Sequence, residues 1–235
     1  MKAAARLVAI GERLAVMESS PPLVLRATPT GVYVVGGAYS PLGGDDLSLS
    51  VSVEAGASLV VRSAAASVAL PGANGAPSRL AVTAHVAAGA SLVWHPEPGV
   101  AAAGCDHHSE AIVELEDGAS LLWREEVVLG RHREMGGRWT SSLSVDLAGR
   151  PLLRHRIELG AGTDWASPAV GEGARCHGSV LVVGDRQLLD DGPAICMPLA
   201  AGPASLFVAL GDAASDVTQA LDAVGWCTAV PENAP

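Results

Sequence analysis

Leu47-Ser48-Leu49-Ser50-Val51-Ser52-Val53 alternates apolar and polar residues without interruption. A period of two places the apolar side chains on one face of an extended strand, whereas a helix would distribute them around its axis. Gly56-Ala57-Ser58-Leu59 follows, and a glycine accepts the positive φ that a tight reversal needs. The stretch therefore predicts a strand with one buried face, a turn and a returning partner strand, which together form a β-hairpin.

The same tetrapeptide recurs along the chain. Gly-Ala-Ser-Leu appears again at Gly89–Leu92 and at Gly118–Leu121, and a degenerate fourth copy surrounds Gly149. The four glycines lie 33, 29 and 31 residues apart, and a constant period in this range indicates stacked structural units. The sequence predicts a mainly β fold of layered, coiling antiparallel or mixed β-sheets, built from repeated hairpin units.

One helix is predicted, near the C-terminus. Val217, Leu221 and Val224 recur at intervals of three and four residues, and Asp212 can cap the segment. We therefore expect a short helical subregion over residues 212–225. The length is compatible with a single domain over residues 1–235.

Composition limits the partners. The formal net charge of −10 opposes general binding to nucleic acid or to anionic membranes, because both attract clustered Lys and Arg. The four cysteines show no Cys-x-x-Cys spacing, which favours reduced thiols. No uncharged apolar run approaches the ~18 residues of a membrane span. We expect a cytoplasmic protein that binds neither nucleic acid nor membrane.

Short sequence motifs give little indication of catalytic or metal-binding chemistry. The sequence lacks a Gly-x-Ser-x-Gly elbow, a His-Glu-x-x-His pair and a Walker lysine, which favours a protein that is not an enzyme. Cys105, His107 and His108 fall in one predicted loop and form a candidate metal site, with a polar surface loop as the alternative because a second ligand pair is missing.

The charged run that begins at Arg124 predicts a solvated rim. Three tryptophans lie at strand positions, Trp94, Trp123 and Trp139, and their large apolar rings predict core packing.

Seven short motifs follow one another in a fixed order between Leu23 and Val224. They are Pro41–Asp45, Gly56-Ala57, Ser63–Ser67, Leu92–Pro98, Gly118-Ala119 with Trp123, Leu129–Arg131 and Gly149–Leu153. Together they resemble the urease accessory proteins of the D type, called H in some bacteria. That family consists of scaffolds used to load nickel into apo-urease.

The resemblance implies a mostly β, non-enzymatic protein that binds apo-urease and the F-type urease accessory protein, with a G-type GTPase joining through the F protein. It implies no tightly bound cofactor but a transient nickel ion that moves through an internal passage. The residues on matching motifs that become candidates for the passage or for partner binding are Gly43, Gly44, Asp45, Ser63, Glu125 and Arg131. Three of them have ordinary alternatives, which are turn capping by Asp45, hydrogen bonding at a strand edge by Ser63 and pairing of Glu125 with Arg131.

The family resemblance and the repeat period lead to two further expectations. In the family interpretation, the substitution Asp45→Ala lowers nickel loading of urease and leaves the fold intact. The runner-up is a β-solenoid-like carbohydrate-binding protein or enzyme, which rests on the repeat period alone. Its usual signature, an exposed aromatic or carboxylate track, is not evident from the sequence.

Overall fold

The computed structural model describes residues 1–184 and 192–224. Within these ranges the chain forms seventeen strands, a 3₁₀ turn at Asp164–Ala166 and one α-helix, α1 (Ala214–Asp222). In chain order the strands are β1 (Lys2–Ile10), β2 (Arg13–Glu18), β3 (Leu23–Thr28), β4 (Gly31–Gly36), β5 (Asp46–Val53), β6 (Ser58–Ser63), β7 (Ser67–Ala69), β8 (Ser78–Val86), β9 (Ser91–His95), β10 (Gly99–Ala101), β11 (Asp106–Leu115), β12 (Ser120–Leu129), β13 (Arg138–Leu147), β14 (Arg150–Gly160), β15 (Cys176–Val183), β16 (Ile195–Pro198) and β17 (Ala204–Gly211).

The strands form two sheets. Sheet A has the order β14-β13-β11-β8-β5-β1-β2, and sheet B has the order β16-β17-β15-β12-β9-β6-β4-β3, with β10 paired to β12 and β7 paired to β10. The main apolar core joins inward-facing residues of the two sheets, including Leu49 from sheet A and Leu92 from sheet B. The mainly β, layered and coiling architecture predicted from the sequence is confirmed.

The predicted hairpin units are wrong for the first three repeats. The strands that flank Gly56 do not pair with each other, because β5 lies in sheet A and β6 lies in sheet B. The chain therefore crosses from one sheet to the other at each Gly-Ala-Ser-Leu motif. An alternating strand and a turn glycine are common to a hairpin and to this crossover, so the local pattern does not distinguish them.

Successive repeats stack in parallel. In sheet B, Leu59 lies beside Leu92 and Leu92 beside Leu121, while β5, β8, β11 and β13 run parallel in sheet A. The crossovers also bond to one another, since Ser91 N donates to Ala57 O at 2.9 Å and Ser120 N donates to Ala90 O at 2.9 Å. The repeat period thus corresponds to one turn of a coil that contributes a strand to each sheet.

The fourth, degenerate copy is a true hairpin. β13 pairs antiparallel with β14, and Gly149 at the turn has a φ of +73°. Antiparallel pairing also occurs at the far sides of the two sheets, between β1 and β2 and between β3 and β4. The parallel coil is therefore flanked by antiparallel strands.

The predicted helix is present as α1, which begins after Ala213 rather than at Asp212. Its buried residues Val217 and Leu221 pack on the outer face of sheet B. Residue 225, the predicted end of the helical subregion, lies outside the described residues. Within the described ranges, no helix has both the length and the apolar character required to cross a bilayer.

Candidate functional site: a cavity between the sheets

A cavity of about 460 Å³ lies between the two sheets. Its walls combine inward-facing strand residues with loops that follow β4, β6 and β9. Most of the lining is apolar, as at Leu47, Leu49 and Val82. The polar residues among those that line the cavity are Tyr39, Ser40, Arg62, Ser63, Ser67, Glu97, His107, Ser109, Glu125, Glu126 and Ser141.

Glu125 carries a carboxylate into this space. Alternation along β12 turns Trp123, Glu125 and Val127 inward, and all three line the cavity. The carboxylate accepts hydrogen bonds from Ser141 Oγ at 2.5 Å and from Trp123 Nε1 at 3.2 Å. Burial raises the pKa of Glu125, and the hydrogen bonds from Ser141 and Trp123 only partly oppose that rise. The group is therefore held in place by two donors in a mostly apolar enclosure.

Tryptophans form much of the wall around it. Trp94 and Trp123 lie on adjacent strands of sheet B and stack with ring centroids 4.9 Å apart. Trp139, from sheet A, lies 4.3 Å from the ring of His107. All three tryptophans are buried, which confirms their prediction as core residues, and all three also line the cavity.

The predicted metal loop is the beginning of a strand. β11 starts at Asp106, so His107 and His108 point to opposite faces of sheet A. His107 Nδ1 lies 2.8 Å from Ser78 Oγ, and burial, followed by the charge of His108, lowers the pKa of His107 to about 3. His108 Nε2 instead lies 3.3 Å from an Asp106 carboxylate oxygen.

Cys105 is also separate from both histidines. Its Sγ donates to the Arg138 carbonyl at 3.7 Å, and burial raises the pKa of the Cys105 thiol to about 11. Among the described residues, no three His, Cys, Asp or Glu side chains are grouped so that they could hold a metal ion. The structure thus does not bring the three predicted ligands together.

Gly43, Gly44 and Asp45 shape a tight loop before β5. A Cβ on Gly43 would collide with the backbone of Gly72 and Ala76, and Gly44 has a φ of +92°. Asp45 is buried, with 5% of its surface exposed. None of the three is among the residues that line the cavity.

The Asp45 carboxylate accepts hydrogen bonds from three donors. It lies 2.6 Å from the Met1 amino group, 3.0 Å from Ser40 Oγ and 2.9 Å from Leu42 N. Burial alone would raise its pKa, but these hydrogen bonds outweigh burial and the pKa of Asp45 is lowered. The contacts correspond to the turn-capping alternative.

These contacts lead to a different expectation for Asp45→Ala from the one based on the sequence. Loss of the hydrogen-bonded carboxylate should lower the free energy of unfolding by about 1 to 3 kcal/mol at neutral pH. Because the folded-state pKa is lowered, this contribution should disappear as the pH falls below about 4. Urea unfolding at neutral pH and near pH 3 measures both effects, and the control is Asp46→Ala, at the half-buried neighbouring carboxylate that lies near the side chains of Lys2 and Arg79. Wild-type stability of Asp45→Ala together with reduced nickel loading of urease would restore the sequence-based expectation.

Ser63 and Arg131 have different surroundings. Ser63 Oγ donates to the Ala65 carbonyl at 3.1 Å and accepts from Glu97 N at 2.8 Å, and Ser63 lines the cavity. Arg131 is exposed and pairs with Glu134 at 2.7 Å, not with Glu125. Of the residues predicted from the sequence, the cavity therefore gathers Ser63, His107 and Glu125.

Sequence reasoning missed a buried ionic network on the other side of β12. The predicted solvated rim is wrong at Arg124 and Glu126, which are buried under α1, whereas Arg131 at the end of the same run is exposed. Arg124 pairs with Glu126 at 2.7 Å and with Asp222 at 2.5 Å, and Thr218 Oγ1 donates to Glu126 at 2.6 Å. Adjacent charges on one strand alternate between its faces, but the sequence does not show that a distant helix covers one of those faces.

Comparison with known proteins identifies the family of this chain. The sequence matches the family described as UreD urease accessory protein over residues 2–224. The chain belongs to the UreD urease accessory protein family. Membership supports a role in urease maturation, and the matched residues include both sheets and α1.

Individual UreD relatives cover most of the chain. A urease accessory protein UreD of Parafrankia sp. is 42% identical over an alignment of 219 residues, which covers 82% of this chain and 74% of the relative. The UreD of Frankia alni is 40% identical, covering 90% of this chain and 86% of the relative. The UreD of Streptomyces coelicolor is 37% identical and covers 94% of each.

Proposed function

We propose that this UreD-family chain is a non-catalytic scaffold in urease maturation. In this proposal it binds apo-urease and the F-type accessory protein, with the G-type GTPase joining through the F protein, and it helps to deliver nickel to the urease active site. The observation that carries the proposal is the inter-sheet cavity with the Glu125 carboxylate in its wall. Nickel is cargo here, not a resident cofactor.

The chemistry of the cavity suits an ion that passes and does not stay. Glu125 offers carboxylate oxygens, with Ser63, Ser109 and Ser141 as neutral polar lining. A divalent ion near Glu125 would favour the ionised carboxylate and would offset the effect of burial on its pKa. Stable protein sites for such ions use several ligands from the protein, so a single carboxylate with water ligands binds weakly and lets the ion move on.

The carbohydrate-binding alternative gains a parallel coil, but the described residues contain no exposed row of tryptophans. The tryptophans that the structure describes, Trp94, Trp123, Trp139 and Trp165, are all buried. Sugar recognition on a solenoid would need aromatic side chains exposed along one face. The geometry favours the maturation scaffold.

A complementation experiment tests the proposal. The chain would be expressed in cells that contain urease and its other accessory proteins but lack their own D-type protein. We expect urease activity and nickel content to return, and tagged chain to co-purify with the F-type protein and with apo-urease. Stable expression without recovery of urease nickel, together with no co-purification, would reject the scaffold role.

A further inference from the structure

A row of basic and aromatic side chains crosses the outer face of sheet B. Arg26 on β3 is paired with Tyr33 on β4, Tyr33 with Arg62 on β6, and Arg62 with His95 on β9. Directly paired residues in a sheet point to the same face. Arg62 and Arg124 both affect the titration of His95, and Arg124 contacts α1, so the row lies on the face that carries the helix.

The helix covers only part of this face. α1 packs mainly against β12, β15 and β17, whereas β6, β4 and β3 lie at the opposite end of sheet B. Tyr33, Val35, Val60 and Arg62 remain half-buried, and Arg26 is exposed. Parallel strands such as β4, β6 and β9 are commonly covered on both faces, so this part of sheet B is suited to a partner.

The positive charge in the row is not neutralised within the described residues. Neither Arg26 nor Arg62 has a carboxylate within 4.0 Å there, while Arg124, the next arginine along the row, pairs with Glu126 and Asp222. The Nε atom of Arg62 is buried and has no hydrogen-bond partner in the described residues. Burial, followed by the charges of Arg124 and Arg62, lowers the pKa of His95 to about 4, so the arginines carry the charge at neutral pH.

We propose that the outer face of β3, β4 and β6 binds an acidic segment of a partner protein, with Arg26 and Arg62 pairing to its carboxylates around Tyr33. Arg forms bidentate hydrogen bonds with carboxylates, and Arg and Tyr are enriched among the residues that dominate interface energies. Tyr33, Val35 and Val60 supply apolar contact area between the charges. A long polyanion such as nucleic acid fits less well, because the chain carries a net charge of −10 that repels it beyond the row.

The test uses a defined probe and does not depend on nickel delivery. An alanine-based helical peptide with glutamates along one face would be titrated against the full chain, with the glutamine version as the neutral probe. We expect the acidic peptide to bind and Arg26→Glu/Arg62→Glu to weaken that binding by about tenfold or more, because two attractive contacts become repulsive. Added salt should weaken it as well.

Arg13→Glu/Arg150→Glu is the matched control, since both arginines are exposed on sheet A and the change in net charge is the same. The control should bind like the wild type. If circular dichroism shows that the double glutamate variant does not fold, Arg26→Gln/Arg62→Gln replaces it and should still reduce binding. Equal binding by all variants, or tighter binding of a short single-stranded oligonucleotide through the same two arginines, would overturn the proposal. Urease loading by complementation reports separately on the scaffold role.

Discussion

Replacement of Glu125 by glutamine is expected to lower the nickel content and the activity of co-expressed urease by about tenfold or more, the usual effect of removing a group that orients or contacts a metal. Glutamine keeps the shape of the side chain, and its oxygen can accept from Trp123 while its amide NH2 donates to Ser141 Oγ, but it removes the negative charge from the cavity. The measurements are the nickel content of purified urease and its activity.

The fold should survive this substitution. Because the folded-state pKa of Glu125 is raised, the ionised carboxylate is less favourable in the folded chain than in the unfolded chain at neutral pH. A neutral glutamine avoids this cost, so the free energy of unfolding should stay equal or increase. Loss of urease loading would then reflect the charge and not unfolding.

Glu114→Gln is the control for Glu125→Gln. Glu114 lies on β11, and its exposed side chain points away from the core, so its replacement should leave urease loading unchanged. Normal nickel loading with Glu125→Gln would remove the cavity carboxylate from the delivery mechanism. Equal losses of urease nickel loading with Glu125→Gln and Glu114→Gln would indicate a general effect of charge.

Replacement of Arg124 by methionine is expected to destabilise the chain by about 3 to 5 kcal/mol, the cost of breaking a buried ion pair on one side only. Glu126 would remain buried without its cation, and α1 would lose its links through Asp222 and the Thr218 carbonyl. Urea unfolding measures the loss.

Two further variants separate charge from packing at this site. Arg124→Met/Glu126→Gln removes both buried charges and should recover part of the stability, because no uncompensated charge remains. Arg131→Ala breaks an exposed pair with Glu134 and should leave the unfolding transition unchanged. A single Arg124→Met variant as stable as the wild type would show that the network does not anchor the helix.

The local elements of this fold were predictable because they depend on neighbouring residues. Alternation over Leu47–Val53 predicts the strand that the structure shows as part of β5, and helical spacing of Val217 and Leu221 predicts α1. The motif order supported the family resemblance, which the match over residues 2–224 confirms. These patterns depend on residues that are close together in the sequence, so they can be recognised without knowing which strands pair in the sheets.

The candidate site was only partly predictable. Ser63 and Glu125 were named because they lie on family-like motifs, and both line the cavity. The proximity of Cys105, His107 and His108 in the sequence suggested a shared site, but strand alternation separates the two histidines. The network of Arg124, Glu126 and Asp222 joins residues 98 positions apart, a separation that no local pattern reports.

The sequence by itself determined that the chain forms alternating strands, that turns occur at Gly56, Gly89 and Gly118, and that the units repeat. Only the tertiary structure decided that each turn connects two sheets instead of two paired strands. The physical reason is that alternation specifies which side chains are buried, whereas backbone N–H and C=O groups bond equally well to any strand that lies alongside. Stacking of the repeats supplies those neighbours, and the space left between the two sheets becomes the cavity that contains Glu125.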